Sequence, residues 1–124
     1  MLDSAIKEEL KNQKILPVFN TTDLTGDIKR LEIFLSKNSH IKNIEITLRK
    51  FNSLEIAIEL KKRFTNINFG LGSILSRKDY EIGANEGFCF FVSPGIILDL
   101  VNTKEINYIP GGESISEFMF LLNN

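Results

Sequence analysis

Apolar and polar positions along this chain switch repeatedly between a helical and an extended period. Leu2, Ile6 and Leu10 share one helical stripe, which predicts a short helix over 3–12, and an apolar run at 15–19 predicts a strand. Pro17 marks that strand as an edge or entry strand, since proline has no N–H for a ladder. Asp23 stands where an N-cap belongs, before Leu24, Ile28, Leu31 and Leu35 at helical spacing up to Lys37. A second strand is expected over 43–49, and Asn52-Ser53-Leu54-Glu55 has the form of a capping box ahead of Ala57, Ile58 and Leu60. The alternation continues with a strand over 66–73, a helix opened by Ser76-Arg77-Lys78-Asp79 and stopped near Gly87, and a strand over 88–92. Pro94-Gly95 turns into a further helix, 107–110 reads as a fifth strand, and Ser114-Ile115-Ser116-Glu117 is a capping box before Phe118, Met119 and Leu122. No linker or low-complexity stretch interrupts these βα units, so a single domain over 1–124 is expected.

The second strand carries the chemistry. Side chains alternate across a strand, so Ile44, Ile46 and Leu48 share one face while Glu45, Thr47 and Arg49 share the other. A parallel strand between helices is normally apolar on both faces, and a carboxylate, a hydroxyl and a guanidinium on one face point to a site. The alternative is an edge strand whose polar side is solvated.

Composition narrows the class. The chain has 124 residues, 43% hydrophobic and 25% charged, with a formal net charge of -1, which suits a soluble α/β domain with one core. That balance provides no basic field, so no nucleic-acid partner is expected, and Lys61-Lys62-Arg63 reads as the solvated end of a helix. The apolar runs are too short to span a bilayer, and Asp3, Glu8 and Glu9 break any signal-peptide pattern, so no membrane partner and a cytoplasmic location are expected. Cys89 among Phe88, Phe90 and Phe91 reads as a small core residue, and His40 as a surface-turn residue that cannot build a metal cluster alone.

Two parallel architectures compete. An open doubly wound sheet is complete with about five strands, whereas a barrel needs eight. Arg49, Ser73, Ser93 and Gly111, however, all fall at the C-terminal ends of successive strands, where barrel enzymes assemble their sites. Gly70-Leu71-Gly72 does not complete a dinucleotide fingerprint, because Leu75 stands at the third glycine position. Turn geometry or close approach of a ligand would account for both glycines, the turn being favoured.

Glu45-Ile46-Thr47-Leu48-Arg49, Gly70-Leu71-Gly72-Ser73, Phe91-Val92-Ser93-Pro94-Gly95 and Ile109-Pro110-Gly111 together resemble, in order and spacing, the KDPG/KHG aldolases, which act on 2-keto-3-deoxy-6-phosphogluconate and 4-hydroxy-2-oxoglutarate. The resemblance implies an α/β protein of the TIM-type (β/α)8 barrel class, of which this chain would hold about the first five βα units as a partial barrel. It also implies a class I, Schiff-base aldolase without a cofactor, a small keto acid with a pyruvate moiety as substrate, and a homotrimer at full length. By resemblance Glu45 would be the proton-shuttling acid/base, Arg49 and Ser73 would hold the carboxylate of pyruvate, and Pro94 with Gly95 would shape the rim of the pocket.

This sequence departs from the family pattern at several points. Ser73 stands where threonine is usual, Lys50-Phe51 follows Arg49 atypically, and Gly112-Glu113 brings a second carboxylate after Pro110-Gly111. The family's Schiff-base lysine lies on the sixth strand, in a segment that Lys50 and Lys104 do not match, and Asn124 precedes any such strand. The expectation is therefore a C-terminally truncated aldolase, inactive as the 124-residue chain alone. The alternative is a non-catalytic βα module or decayed paralogue that binds a small keto acid or another anion. Reading the gene downstream of the Asn124 codon separates the two: an apolar strand with one lysine is expected, and an immediate in-frame stop would leave the non-catalytic module.

Overall fold

In the computed structural model, which describes residues 4–103, 106–112 and 114–122, strands and helices alternate along the described residues. The elements are α1 (Ser4–Gln13), β1 (Val18–Asn20), α2 (Leu24–Lys37), β2 (Asn43–Thr47), α3 (Ser53–Arg63), β3 (Asn68–Gly72), α4 (Arg77–Asn85), β4 (Phe91–Ser93), α5 (Leu98–Val101), β5 (Tyr108–Pro110) and α6 (Ile115–Leu122). Leu2, Asp3, Lys104 and Glu113 lie outside the described residues, as does the side chain of Phe118.

All four strand pairs are parallel, and the sheet order is β1-β2-β3-β4-β5. That order decides between the two architectures. A doubly wound sheet reverses its strand order at a switch point, whereas a barrel wall adds each new strand beside the last. The sheet is thus a partial (β/α)8 wall, with β1 and β5 as its two edges.

The two faces of the wall differ. Leu31, Ile44, Ile46, Ala57, Leu60, Phe69, Leu71 and Phe91 belong to one continuous core of helices packed on the outer face. Tyr80 on α4 meets Phe91 edge-to-face at 4.8 Å, and Gly83 lets the helix approach Leu71 and Phe91 closely. The inner face of β2 carries Asn43, Glu45 and Thr47, all buried. At its N-terminal end Gln13 of α1 acts as a plug: its Oε1 accepts from the amides of Lys42 and Asn43, and its Nε2 donates to the carbonyls of Asn43 and Ile15. Asn43, fully buried, in turn accepts from Asn68 across the β2–β3 pair.

Several local expectations need correction. Asp23 and Ser76 do cap their helices, through the amides of Gly26 and Asp79. Asn52 does not: its side chain makes no cap bond, and the Ser53 hydroxyl accepts from the Lys50 amide to close the loop instead. The second strand ends at Thr47, so Arg49 belongs to the loop after it. Cys89 precedes β4 and is half-buried, not a core strand residue. Gly70 and Gly72 lie within β3 and lack the positive φ of a turn glycine.

Gly111 is placed by backbone contact. A methyl group there would stand 2.5 Å from the Pro94 carbonyl and 2.7 Å from that of Ser93, while Gly95 has nothing within 4 Å. Backbone atoms cannot rotate away, so Gly111→Ala should destabilise by about 1–3 kcal/mol. Gly95→Ala should change stability by less than about 0.5 kcal/mol. Urea unfolding of the two variants measures the contrast, and equal midpoints would refute the close approach.

Candidate active site

The site is built on the inner face and C-terminal rim of β1 to β4. In the sheet register Val18, Glu45 and Gly70 lie side by side, as do Asn20, Thr47 and Gly72 one pleat further on. Glu45 therefore has a glycine beside it and another diagonally ahead. A Cβ at Gly72 would fall 2.4 Å from the Glu45 carboxyl carbon and 2.6 Å from its Oε2, so the carboxyl lies in the space that a side chain at 72 would fill. Gly70 has the same relation to the Phe90 ring, whose edge would come within 2.2 Å of a Cβ at that position. The two glycines thus serve close approach of side chains, not of a turn.

Burial sets the electrostatics. Glu45 is only 7% exposed, and desolvation pushes its carboxyl above the usual carboxylate range, while the Arg49 guanidinium pulls it partly back down. A carboxyl so placed holds its proton closer to neutral pH than a surface glutamate does, as acid/base chemistry requires. Arg49 itself is exposed at the rim, where its Nη1 donates to Asn20 Oδ1 at 3.4 Å. Thr47 Oγ1 donates to the same oxygen at 2.6 Å.

The other residues marked by the sequence also reach this rim. Ser73 follows β3 directly, is half-buried, and has φ 60°, a left-handed conformation uncommon for a residue with a Cβ. Such conformations concentrate at functional sites, where the surrounding structure maintains them. Pro94 is exposed just past β4. The segment Ser93-Pro94-Gly95 is braced by Tyr108, whose hydroxyl bonds that of Ser93 and accepts from the Ile97 amide at 3.0 Å. Ser93 is thus engaged in structure. The loop after β1 is tied to the start of α3 by the Thr21 and Ser53 hydroxyls, 2.8 Å apart and buried.

Register brings Glu45, Arg49 and Ser73 to neighbouring strand ends, with Pro94 one strand further on. Asn20 and Thr47 join them. Asn20 offers little sequence signal: it is a lone amide at the end of an apolar run, and only the β1–β2 register sets it beside Thr47, within reach of Arg49. A hollow of about 320 Å³, lined by Leu35, Ile41, Phe64 and Ile67 among others, lies at the opposite end of the strands. No group of His, Cys, Asp and Glu side chains among the described residues is arranged to hold a metal ion.

The family model of the KDPG and KHG aldolases matches residues 6–124. The chain belongs to that family. A KDPG aldolase of Legionella pneumophila, solved with pyruvate captured as a covalent carbinolamine intermediate, is 28% identical, with a TM-score of 0.73 over 87% of this chain and 53% of that one. The 2-keto-3-deoxy-6-phosphogluconate aldolase of Zymomonas mobilis ZM4, solved with 3-phosphoglycerate, is 26% identical, with a TM-score of 0.78 over 95% of this chain and 56% of that one. The chain thus spans little more than half the length of these relatives. The partial barrel expected from the sequence is the fold they share with it. No helix among the described residues is long and apolar enough to cross a membrane.

The raised Glu45 pKa has a signed consequence. An acid whose pKa is higher folded than unfolded binds more protons in the folded state, so its contribution to stability is complete below the unfolded value and lost as pH rises to the folded one. Glu45→Gln keeps the volume without the charge. Thermal unfolding from about pH 4 to pH 8 should therefore show the variant gaining on the wild type as pH rises, then levelling. A difference independent of pH would mean that burial does not perturb this carboxyl.

Proposed function

We propose that the protein is a class I aldolase of 2-keto-3-deoxy-6-phosphogluconate, releasing pyruvate and glyceraldehyde 3-phosphate, and that this chain, as one domain, supplies the pyruvate end of its site. The observation that carries the reading is the buried Glu45 carboxyl lying over Gly72 beside Arg49. A carboxyl with a raised pKa can take the proton from the C4 hydroxyl as the C3–C4 bond breaks, and return it to C3 of the enamine to complete pyruvate. Arg49 offers a planar fork of N–H donors for the keto acid carboxylate, and Ser73 adds a hydroxyl donor at the next strand end. Pro94 bounds the same mouth.

The electron sink in such a mechanism is an iminium on a lysine amine, which the family places on the sixth strand. Treating the 124-residue chain with pyruvate and borohydride should leave its intact mass unchanged. A stoichiometric pyruvyl adduct would instead put the Schiff base on a lysine of this chain. Family likeness supports this substrate, a trimeric assembly and a cytoplasmic location.

Kinetics test the two roles separately, in the protein joined to or supplied with the segment that bears the lysine. Arg49→Leu removes a charge-assisted bond of about 1.5–3 kcal/mol, so KM for the keto acid should rise about 10- to 150-fold with kcat less affected. Glu45→Gln should lower kcat about 100- to 10,000-fold while Schiff-base formation with pyruvate persists. Wild-type kinetics with only a lowered Tm in both variants would make Glu45 and Arg49 a structural ion-pair network.

A further inference from the structure

Arg49 is an exposed side chain in a loop, and a long exposed arginine does not by itself hold a fixed orientation. We infer that Asn20 is the residue that positions Arg49 for a carboxylate, through one side-chain oxygen that both Thr47 and Arg49 engage. This rests on the reading of Arg49 as the carboxylate fork.

The geometry fixes the chemistry of the contact. A guanidinium has donors only, so the atom of Asn20 that faces Arg49 Nη1 is the carbonyl oxygen Oδ1, and the amide orientation is determined by its partner. Thr47, 1% exposed, holds the same oxygen at 2.6 Å from the neighbouring register position. Asn20 is also held from behind. Arg30 donates to its backbone carbonyl at 2.9 Å, and Arg30 is anchored in turn by a 2.6 Å ion pair with fully buried Asp27 and by its stack on the Phe19 ring at 4.2 Å. Asp27 accepts as well from the amide and hydroxyl of Thr22 in the loop that follows Asn20. An ordered chain therefore runs from a buried carboxylate, through Arg30 and Asn20, to the exposed guanidinium of the candidate site.

Asn20 accepts without adding charge. An aspartate in its place would grip Arg49 more strongly, yet it would oppose the anion that Arg49 is there to bind. A neutral acceptor orients the guanidinium and leaves its positive charge available.

Side-chain NMR of Arg49 combined with pyruvate titration tests the assignment in the protein. Asn20→Leu should increase the mobility of the Arg49 Nε–H vector and weaken pyruvate binding about three- to tenfold, and should add nothing in an Arg49→Leu background. Asn20→Asp should keep Arg49 ordered while still weakening pyruvate. If Asn20→Leu does not fold, Asn20→Ser is measured in its place. Unchanged Arg49 mobility in the substituted protein overturns the inference, even when Tm falls. So does unchanged pyruvate affinity for the Asn20 variants while Arg49→Leu is impaired, which leaves the carboxylate role of Arg49 intact. Unchanged affinity in Arg49→Leu removes that role and the inference together.

Discussion

A missing side chain at position 72 is the constraint on which the candidate site depends. β2 and β3 form the longest parallel pair of the sheet, and their register sets Thr47 against Gly72 and Glu45 against Gly70. Only with a bare backbone at 72 can the Glu45 carboxyl lie across β3, since a methyl there would overlap its carbon and oxygen. The consequences follow in order. The carboxyl is packed instead of solvated, its proton is retained to higher pH, and the opposing charge that acts on it is Arg49.

The rim around that carboxyl is held by polar contacts between loops that no single element could make. Thr21 and Ser53 join the turn after β1 to the start of α3, and Ser53 also receives the Lys50 amide. Ser93 and Tyr108 do the same for β4 and β5. Because backbone and hydroxyl groups buried without partners are costly, each of these bonds also restricts where the following residue can stand. Strand ends are thus rigid supports for Arg49, Ser73 and Pro94, which themselves sit just beyond the ladder. At the opposite end of the sheet Gln13 of α1 bonds the backbone at the start of β2.

Much of this was legible in the chain itself, and the reason is local. Period-2 and period-3.6 patterns are written by which residues face the core, so the alternating elements, the apolar faces of α2 and α3, and the polar face of β2 could all be read from 43–60 and its neighbours. Asp23 and Ser76 act within three residues of themselves, so their caps were equally readable. Four motifs at fixed spacing pointed to the aldolase family, which the family match bears out.

Other features depend on residues far apart in the chain or on close competition between neighbours. Asn52 lost its cap role because Ser53 closes the loop to Lys50, a choice between two adjacent hydrogen-bonding groups that have nearly the same propensity. Gly70 and Gly72 looked like turn glycines, since conformational freedom is visible in a sequence and the neighbour across a sheet is not. Strand order told a barrel wall from a doubly wound sheet, and no local pattern encodes which strand lies beside which. Local pattern was enough for the elements, the inward polar face and the family. It took the packed sheet to show that Gly72 makes room for Glu45 and that Asn20, 29 residues away in the chain, shares its oxygen with Arg49, because register between strands exists only once the strands are paired.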